Sequence, residues 1–310
     1  MLTMRKLLGV LFIGSSVLFS ACSKKMSPDT TLPPEIEEST PKCSEKIVFF
    51  SSRTNNGDLY AFDPISLETN EFLIADSAIG APVFNKFRSS LVFAQQSSKG
   101  RDLYSENINT GDITFLIPNP AEDEVPDWSP TENKIVYSLR NHLQSYSLIV
   151  RFLDNGEELV LFENALQAFD PVLSPNGSQI AFVLTDSTTN ADIAVINVDG
   201  TGFKNLTNNS KLHGHPEWSP DGSTVLFYIS KNGNADLYTF ELETNTLTQL
   251  TFDSANQLVG RFSSDGKKIA YGGFFEGDWE IFMMDSDGNN KEQVTFNPGF
   301  DGDPVWIPCN

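Results

Sequence analysis

The chain has 310 residues and a formal net charge of -20, from 21 Lys and Arg against 41 Asp and Glu. Its 39% hydrophobic content supports a sizeable core, and its length suits one large all-β domain or two ordinary ones. The acidic balance argues against a nucleic-acid partner, whose phosphates it would repel, and against adsorption on anionic lipid. It serves solubility instead.

The N-terminus reads as a targeting segment. Arg5 and Lys6 precede an apolar run from Leu7 to Phe19, too short to span a bilayer comfortably. Phe19-Ser20-Ala21-Cys22 follows, and this arrangement resembles the bacterial lipoprotein signal, in which the cysteine is acylated and becomes residue one. The usual Leu three places before the cysteine is replaced by Phe19, so an ordinary secretory signal cleaved after Ala21 stays open. Acyl chains on Cys22 would anchor the protein to a membrane without a spanning helix. Residues 22–42 are rich in Pro, Ser, Thr and Glu without apolar period, and are expected to be a disordered tether. The expected organisation is thus signal peptide 1–21, tether 22–42 and folded domain 43–310.

Within the folded domain a single unit recurs. In His215-Pro216-Glu217-Trp218-Ser219-Pro220-Asp221-Gly222-Ser223-Thr224-Val225-Leu226-Phe227 a short strand leads into a Pro-Asp-Gly turn and then a β-rich apolar run. The apolar residue opening the second strand falls at Ile47, Leu91, Ile135, Ile180, Val225 and Ile269, spaced 44 or 45 residues apart. A third strand opens with an acid and an apolar residue, as in Asp58-Leu59, Asp102-Leu103, Asp192-Ile193, Asp236-Leu237 and Glu280-Ile281. A fourth ends in Leu206-Thr207, Leu250-Thr251 or Val294-Thr295. Four strand signals per period of this length indicate propeller blades.

These residues resemble the WD-like repeats of the TolB-type six-bladed β-propeller, whose pattern runs Pro-x-Trp-Ser-Pro-Asp-Gly, an apolar strand, Asp-Ile-Tyr and Leu-Thr. The resemblance covers residues 43–310 and implies an all-β fold: six four-stranded antiparallel blades. TolB proper carries an α/β domain ahead of its propeller, whereas here the tether is expected to lead straight into blade 1.

The first repeat lacks its first strand. Asp303-Pro304-Val305-Trp306-Ile307-Pro308 aligns with His215-Pro216-Glu217-Trp218-Ser219-Pro220, so the C-terminal segment is expected to supply the inner strand of blade 1 and close the ring. Cys43 and Cys309 map to the same turn of the repeat, which brings them within disulfide reach in an oxidising compartment; two free thiols is the other reading.

Catalytic motifs are missing from the sequence: no Gly-x-Ser-x-Gly, no phosphate loop, no His-Glu-x-x-His and no Cys-x-x-Cys. No catalytic residue, metal site or cofactor is therefore expected. His142 stands alone, while His213-Gly214-His215 could set two imidazoles on one strand face; acid runs such as Glu122-Asp123-Glu124 and Asp301-Gly302-Asp303 read as solvated loops. The recurrent Asp58, Asp102, Asp192 and Asp236 are expected to accept backbone N–H bonds.

The residue preceding the proline of each first strand is expected near one mouth of the central channel. In register these are Ala81, Val125, Asp170, His215, Val259 and Asp303, and the polar three, Asp170, His215 and Asp303, are the candidate binding residues. The family resemblance implies a monomeric propeller in the bacterial cell envelope, facing periplasm or exterior and touching membrane through the lipid anchor alone. Its partner would be another envelope protein or a peptide threaded into the channel. The alternative is a propeller lyase or glycosidase that cleaves glycans through carboxylates at the mouth.

Overall fold

The computed structural model describes residues 45–309 apart from the short stretches 54–57, 73–77, 86–88, 98–99, 118–125, 130, 132, 141–145, 162–166, 186–189 and 209–211. The signal peptide, the tether, Cys22, Cys43, Glu122-Asp123-Glu124, Val125 and His142 lie outside the described residues.

The described residues form six four-stranded antiparallel sheets. Blade 1 contains β1 (Glu45–Ser51), β2 (Asp58–Asp63) and β3 (Glu68–Glu71). Blade 2 follows with β4 (Ala78–Asn85), β5 (Ser90–Ser97), β6 (Gly100–Asn107) and β7 (Ile113–Ile117). Blade 3 has β8 (Asp127–Trp128), β9 (Lys134–Arg140), β10 (Tyr146–Phe152) and β11 (Glu158–Val160). Blade 4 has β12 (Gln167–Leu173), β13 (Gln179–Thr185), β14 (Asp192–Asn197) and β15 (Lys204–Asn205). Blade 5 has β16 (Leu212–Trp218), β17 (Thr224–Lys231), β18 (Asn234–Glu241) and β19 (Thr246–Gln249). Blade 6 has β20 (Gln257–Phe262), β21 (Lys268–Phe275), β22 (Asp278–Asp285) and β23 (Glu292–Gln293), and β24 (Asp301–Pro308) ends the chain. β24 pairs with β1, from Ser51 opposite Asp301 to Glu45 opposite Pro308, and so completes blade 1. The ring is closed by the C-terminal strand as the repeat alignment requires.

Strand alternation explains the packing. Ile47 and Phe49 of β1 point to one face and join Ala270, Ile281 and Val294 of blade 6. Val48, between them, points to the other face and joins Leu91 of blade 2. Each blade thus buries both faces against its neighbours, which is why the second strands read as continuous apolar runs. The Pro-Asp-Gly turns hold themselves together. Ser219 Oγ donates to Asp221 Oδ1, which also accepts the Ser223 amide, and the Thr224 amide donates to Ser219 Oγ. Gly222 sits at φ 74°, a conformation in which a side chain would be strained.

The tryptophan of the motif ties blades together. Trp218 donates its indole N–H to the Val172 carbonyl of blade 4, and Trp306 donates to the Arg261 carbonyl of blade 6 at 3.0 Å. At the other end of β24, Arg53 pairs with the buried Asp301 at 2.7 Å and lies 4.0 Å above the Tyr60 ring. In blades 4 to 6 the recurrent acids bond a side chain that the expectation did not name, while the side chains of Asp58 and Asp102 lie outside what is described. Asp192, Asp236 and Glu280 accept the hydroxyl of Thr207, Thr251 and Thr295. Each threonine oxygen in turn accepts the amide following the acid, at Ile193, Leu237 and Ile281. The acid and the Leu-Thr ending are therefore one latch that ties the third strand to the end of the fourth.

Candidate functional site: the central channel

The inner strands carry a repeated irregularity. The pairing of β12, β16 and β20 with their neighbours shifts register between Phe169 and Val172, Gly214 and Glu217, and Leu258 and Arg261. Inside these bulges Asp170, His215 and Val259 adopt φ of 57°, 50° and 52°, and Asp303 of β24 adopts 53°. Four of the six positions read as channel-mouth residues therefore share a left-handed backbone. Asp and His tolerate that conformation better than most residues, whereas for the β-branched Val259 it is strained by roughly 1 kcal/mol or more. Bulges re-aim side chains, and here they aim the polar three together.

Asp170 and His215 come from adjacent blades and meet. Asp170 Oδ2 lies 2.9 Å from His215 Nδ1 and also accepts the His215 amide at 2.9 Å. The His215 ring is 35% exposed to channel solvent, although protein atoms surround it. Burial works against its charged form, but the Asp170 carboxylate outweighs burial and Asp303 adds to it, so the imidazole is more basic than usual. Asp170 is correspondingly pulled down, His215 overcoming the cost of burial. Asp303 faces the same histidine, yet burial holds its carboxyl above the ordinary range. Tyr228 stacks obliquely on His215 with ring centroids 5.8 Å apart. The other histidine of the pair points elsewhere: His213 is buried and places Nδ1 against the Ala191 carbonyl. The two imidazoles thus have separate partners. The Ala81 side chain and the whole of Val125 lie outside what is described.

Two residues further along each inner strand is a second ring, which the sequence reading did not single out. Val83, Asp127, Val172, Glu217, Arg261 and Val305 line an open cavity of about 590 Å³ that extends to Pro175, Pro220 and Pro308 of the turns. Arg261 pairs with Glu217 at 3.0 Å. Its charge also reaches Asp127, Asp170, His215 and Asp303, so one guanidinium is common to both rings. Burial pushes Glu217 up despite that pairing. Asp127 is pushed up to about 7, by burial first and with the Glu217 charge adding to it, against the Leu173 and Trp128 amides whose bonds it accepts. The signal for this ring was the x of Pro-x-Trp, which runs Val, Asp, Val, Glu, Arg, Val around the blades.

The channel is therefore a polar, net acidic passage set in an apolar ring. It can hold a polar or cationic group at the mouth. Among the described residues no cluster of three His, Cys, Asp or Glu forms a metal site.

Residues 132–310 match the family model of the TolB β-propeller domain. A TolB homologue of Chlorobium chlorochromatii is 29% identical over 132 residues, covering 43% of this chain and 29% of the relative. The Tol-Pal system protein TolB of Anaeromyxobacter dehalogenans is 24% identical over 115 residues, covering 37% and 26%. The chain thus matches less than a third of the length of either. Among solved structures, TolB from Acinetobacter baumannii superposes with a TM-score of 0.72 at 16% identity, over 85% of this chain and 66% of that one. At that identity the likeness is one of fold.

The raised Asp127 gives a pH test. An acid whose folded pKa lies above its unfolded value costs stability as pH climbs from about 3.8 to about 7. Asp127→Asn removes that titration and keeps an acceptor. Its unfolding free energy, from urea melts, should coincide with wild type near pH 4 and exceed it at pH 8, by on the order of 2–4 kcal/mol. A variant less stable than wild type at pH 8 would show Asp127 to be a net stabilising ion.

Proposed function

This chain belongs to the TolB β-propeller family, and from that membership we propose that it is a lipid-anchored propeller of the bacterial cell envelope, facing periplasm or exterior. We propose that it captures another envelope protein, or a peptide of one, where Asp170, His215 and Asp303 converge. The observation that carries the reading is the convergence itself: three charged residues, one per blade, each held in a left-handed bulge at one level of the channel. Strain of this kind persists where the surrounding structure over-determines it, and it is a pointer to function. The name of the Anaeromyxobacter relative, a Tol-Pal system protein, supports an envelope protein as the class of partner. Asp170 is occupied by His215, and Glu217 by Arg261, which favours capture over a glycan-cleaving carboxylate pair needing one free acid and one free base.

Pull-down from a detergent-solubilised envelope fraction, with the full chain as bait, identifies the partner. Asp170→Ala, His215→Ala and Asp303→Ala should each weaken its capture at least tenfold while leaving the unfolding temperature within a few degrees. Full capture by all three variants would move the functional surface to the outer loops.

The reading includes acylation of Cys22 and a Cys43–Cys309 disulfide. The pairing of β1 with β24 ends at Glu45 opposite Pro308, which leaves Cys309 one residue and Cys43 two residues beyond it. The place of Cys309 beside that pairing, with Cys43 two residues from Glu45 in the sequence, supports the bridge, which would fasten the strand that closes the ring. Peptide mapping of the mature protein without reductant reads both features. It should return an N-terminal acylated Cys22 and a linked Cys43–Cys309 peptide, and Cys22→Ala should leave the membrane fraction. A soluble wild type with Cys22 absent, or two free thiols, would contradict the respective claim.

A further inference from the structure

The turn end of the central channel is a cavity that includes none of Asp170, His215 and Asp303 in its lining. Its volume of about 590 Å³ is that of a small-ligand site. Its walls are mostly apolar, from Val83, Val172 and Val305, from Trp218 and Trp306, and from the turn prolines.

Set in that wall is one ion pair with bonding capacity to spare. Arg261 is 9% exposed, and its Nη1 donates to Glu217 Oε2 at 3.0 Å. Its Nε and Nη2 have no acceptor among the described residues, yet protein does not seal them off. Glu217 Oε1 likewise accepts no bond among the described residues, and the Glu217 side chain is 26% exposed. Both residues line the cavity, so free donors and a free acceptor face it side by side. The backbone fixes this arrangement. The Trp306 indole holds the Arg261 carbonyl, and a Cβ on the preceding Gly260 would meet Leu226 Cδ2 at 2.7 Å, so glycine is what lets β20 pack this closely on blade 5.

A guanidinium enclosed with unmade N–H bonds gains from an acceptor that reaches it. Charge decides which acceptor. Arg261 and Glu217 already balance each other. A ligand anion would meet Glu217 and Asp127, and burial already makes both hold protons more tightly than usual. A ligand cation would meet the guanidinium itself. A neutral group that presents an acceptor beside a donor serves both partners without adding charge. In an extended peptide the C=O and N–H of one residue point to the same side and do this.

We propose that the turn end of the channel is a second binding site, which takes a neutral, apolar stretch of peptide main chain. One residue's C=O accepts from Arg261, its N–H donates to Glu217 Oε1, and its aliphatic side chain lies on the valine and tryptophan walls. A saccharide fits less well, because its several hydroxyls would meet two polar partners in a mostly apolar wall.

The test titrates the full chain in detergent at pH 7 with N-acetyl-leucine N-methylamide, read by ligand-observed NMR. The comparison probes are the anion N-acetyl-leucine, the cation leucine N-methylamide, the side-chain mimic isovaleramide and methyl β-glucoside. The neutral diamide should bind saturably, with both charged analogues roughly tenfold weaker. Arg261→Met combined with Glu217→Gln removes the pair without stranding a charge, and should weaken the diamide at least fivefold. Should that double variant fail to fold, the ranking of neutral and charged probes on wild type decides alone. Equal or tighter binding of either charged analogue, preference for isovaleramide or the glucoside, unchanged binding by the double variant, or no saturable binding of the diamide would overturn the proposal. Asp303→Ala should leave these affinities unchanged, which separates failure here from failure of the capture reading.

Discussion

The pairing of β24 with β1 is the constraint on which the rest of the molecule depends. Blade 1 takes three strands from one end of the chain and its innermost strand from the other. Without β24, Val48 and Leu59 lose Val305 and Ile307, and the face of blade 2 around Leu91 loses its cover. β24 also brings two specific ties: the Trp306 indole bond to blade 6 and the Arg53–Asp301 pair. A closed ring leaves no blade face uncovered, so closure couples six otherwise similar sheets.

Closure also makes the channel. Asp303 is a residue of β24, and its place opposite the Asp170–His215 pair exists only because the last strand returns to blade 1. Carboxylates crowd there in a mostly protein-enclosed space, which would be unfavourable without positive charge. Arg261 supplies it from the neighbouring blade, balancing Glu217 directly and the other acids at longer range. The first ring carries charge from blades 4, 5 and 1, while in the second ring Val83, Val172 and Val305 are apolar and Asp127, Glu217 and Arg261 carry the charge. A partner that enters would exchange channel water for this fixed pattern.

Much of the fold was legible in the residues because the same physical solution recurs every 44 or 45 positions. Pro-x-Trp, the Pro-Asp-Gly turn and the apolar second strand each repeat, and the odd segment Asp303–Pro308 matched the one missing piece. The Asp170–His215 contact was accessible for the same reason, since both occupy one register position. The second ring was hidden because its position carries valine in three blades and Asp, Glu or Arg in the other three, so the charge there does not recur with the repeat. Bulges left no mark either, as the left-handed residue is Asp, His or Val by turns. The recurrent acids suggest backbone partners by residue type; in blades 4 to 6 the threonine 15 residues on is a partner of each, and that constant separation was the available clue.

The most direct test of this account is the urea unfolding of the chain ending at Gly302, set beside wild type and beside Cys309→Ser, which removes the thiol alone. If β24 closes the ring, the truncated protein should unfold at a clearly lower midpoint than either control, with blade 1 amides exchanging first. A truncated protein whose midpoint matches that of Cys309→Ser would contradict the closure on which the channel, and its proposed partner, depend.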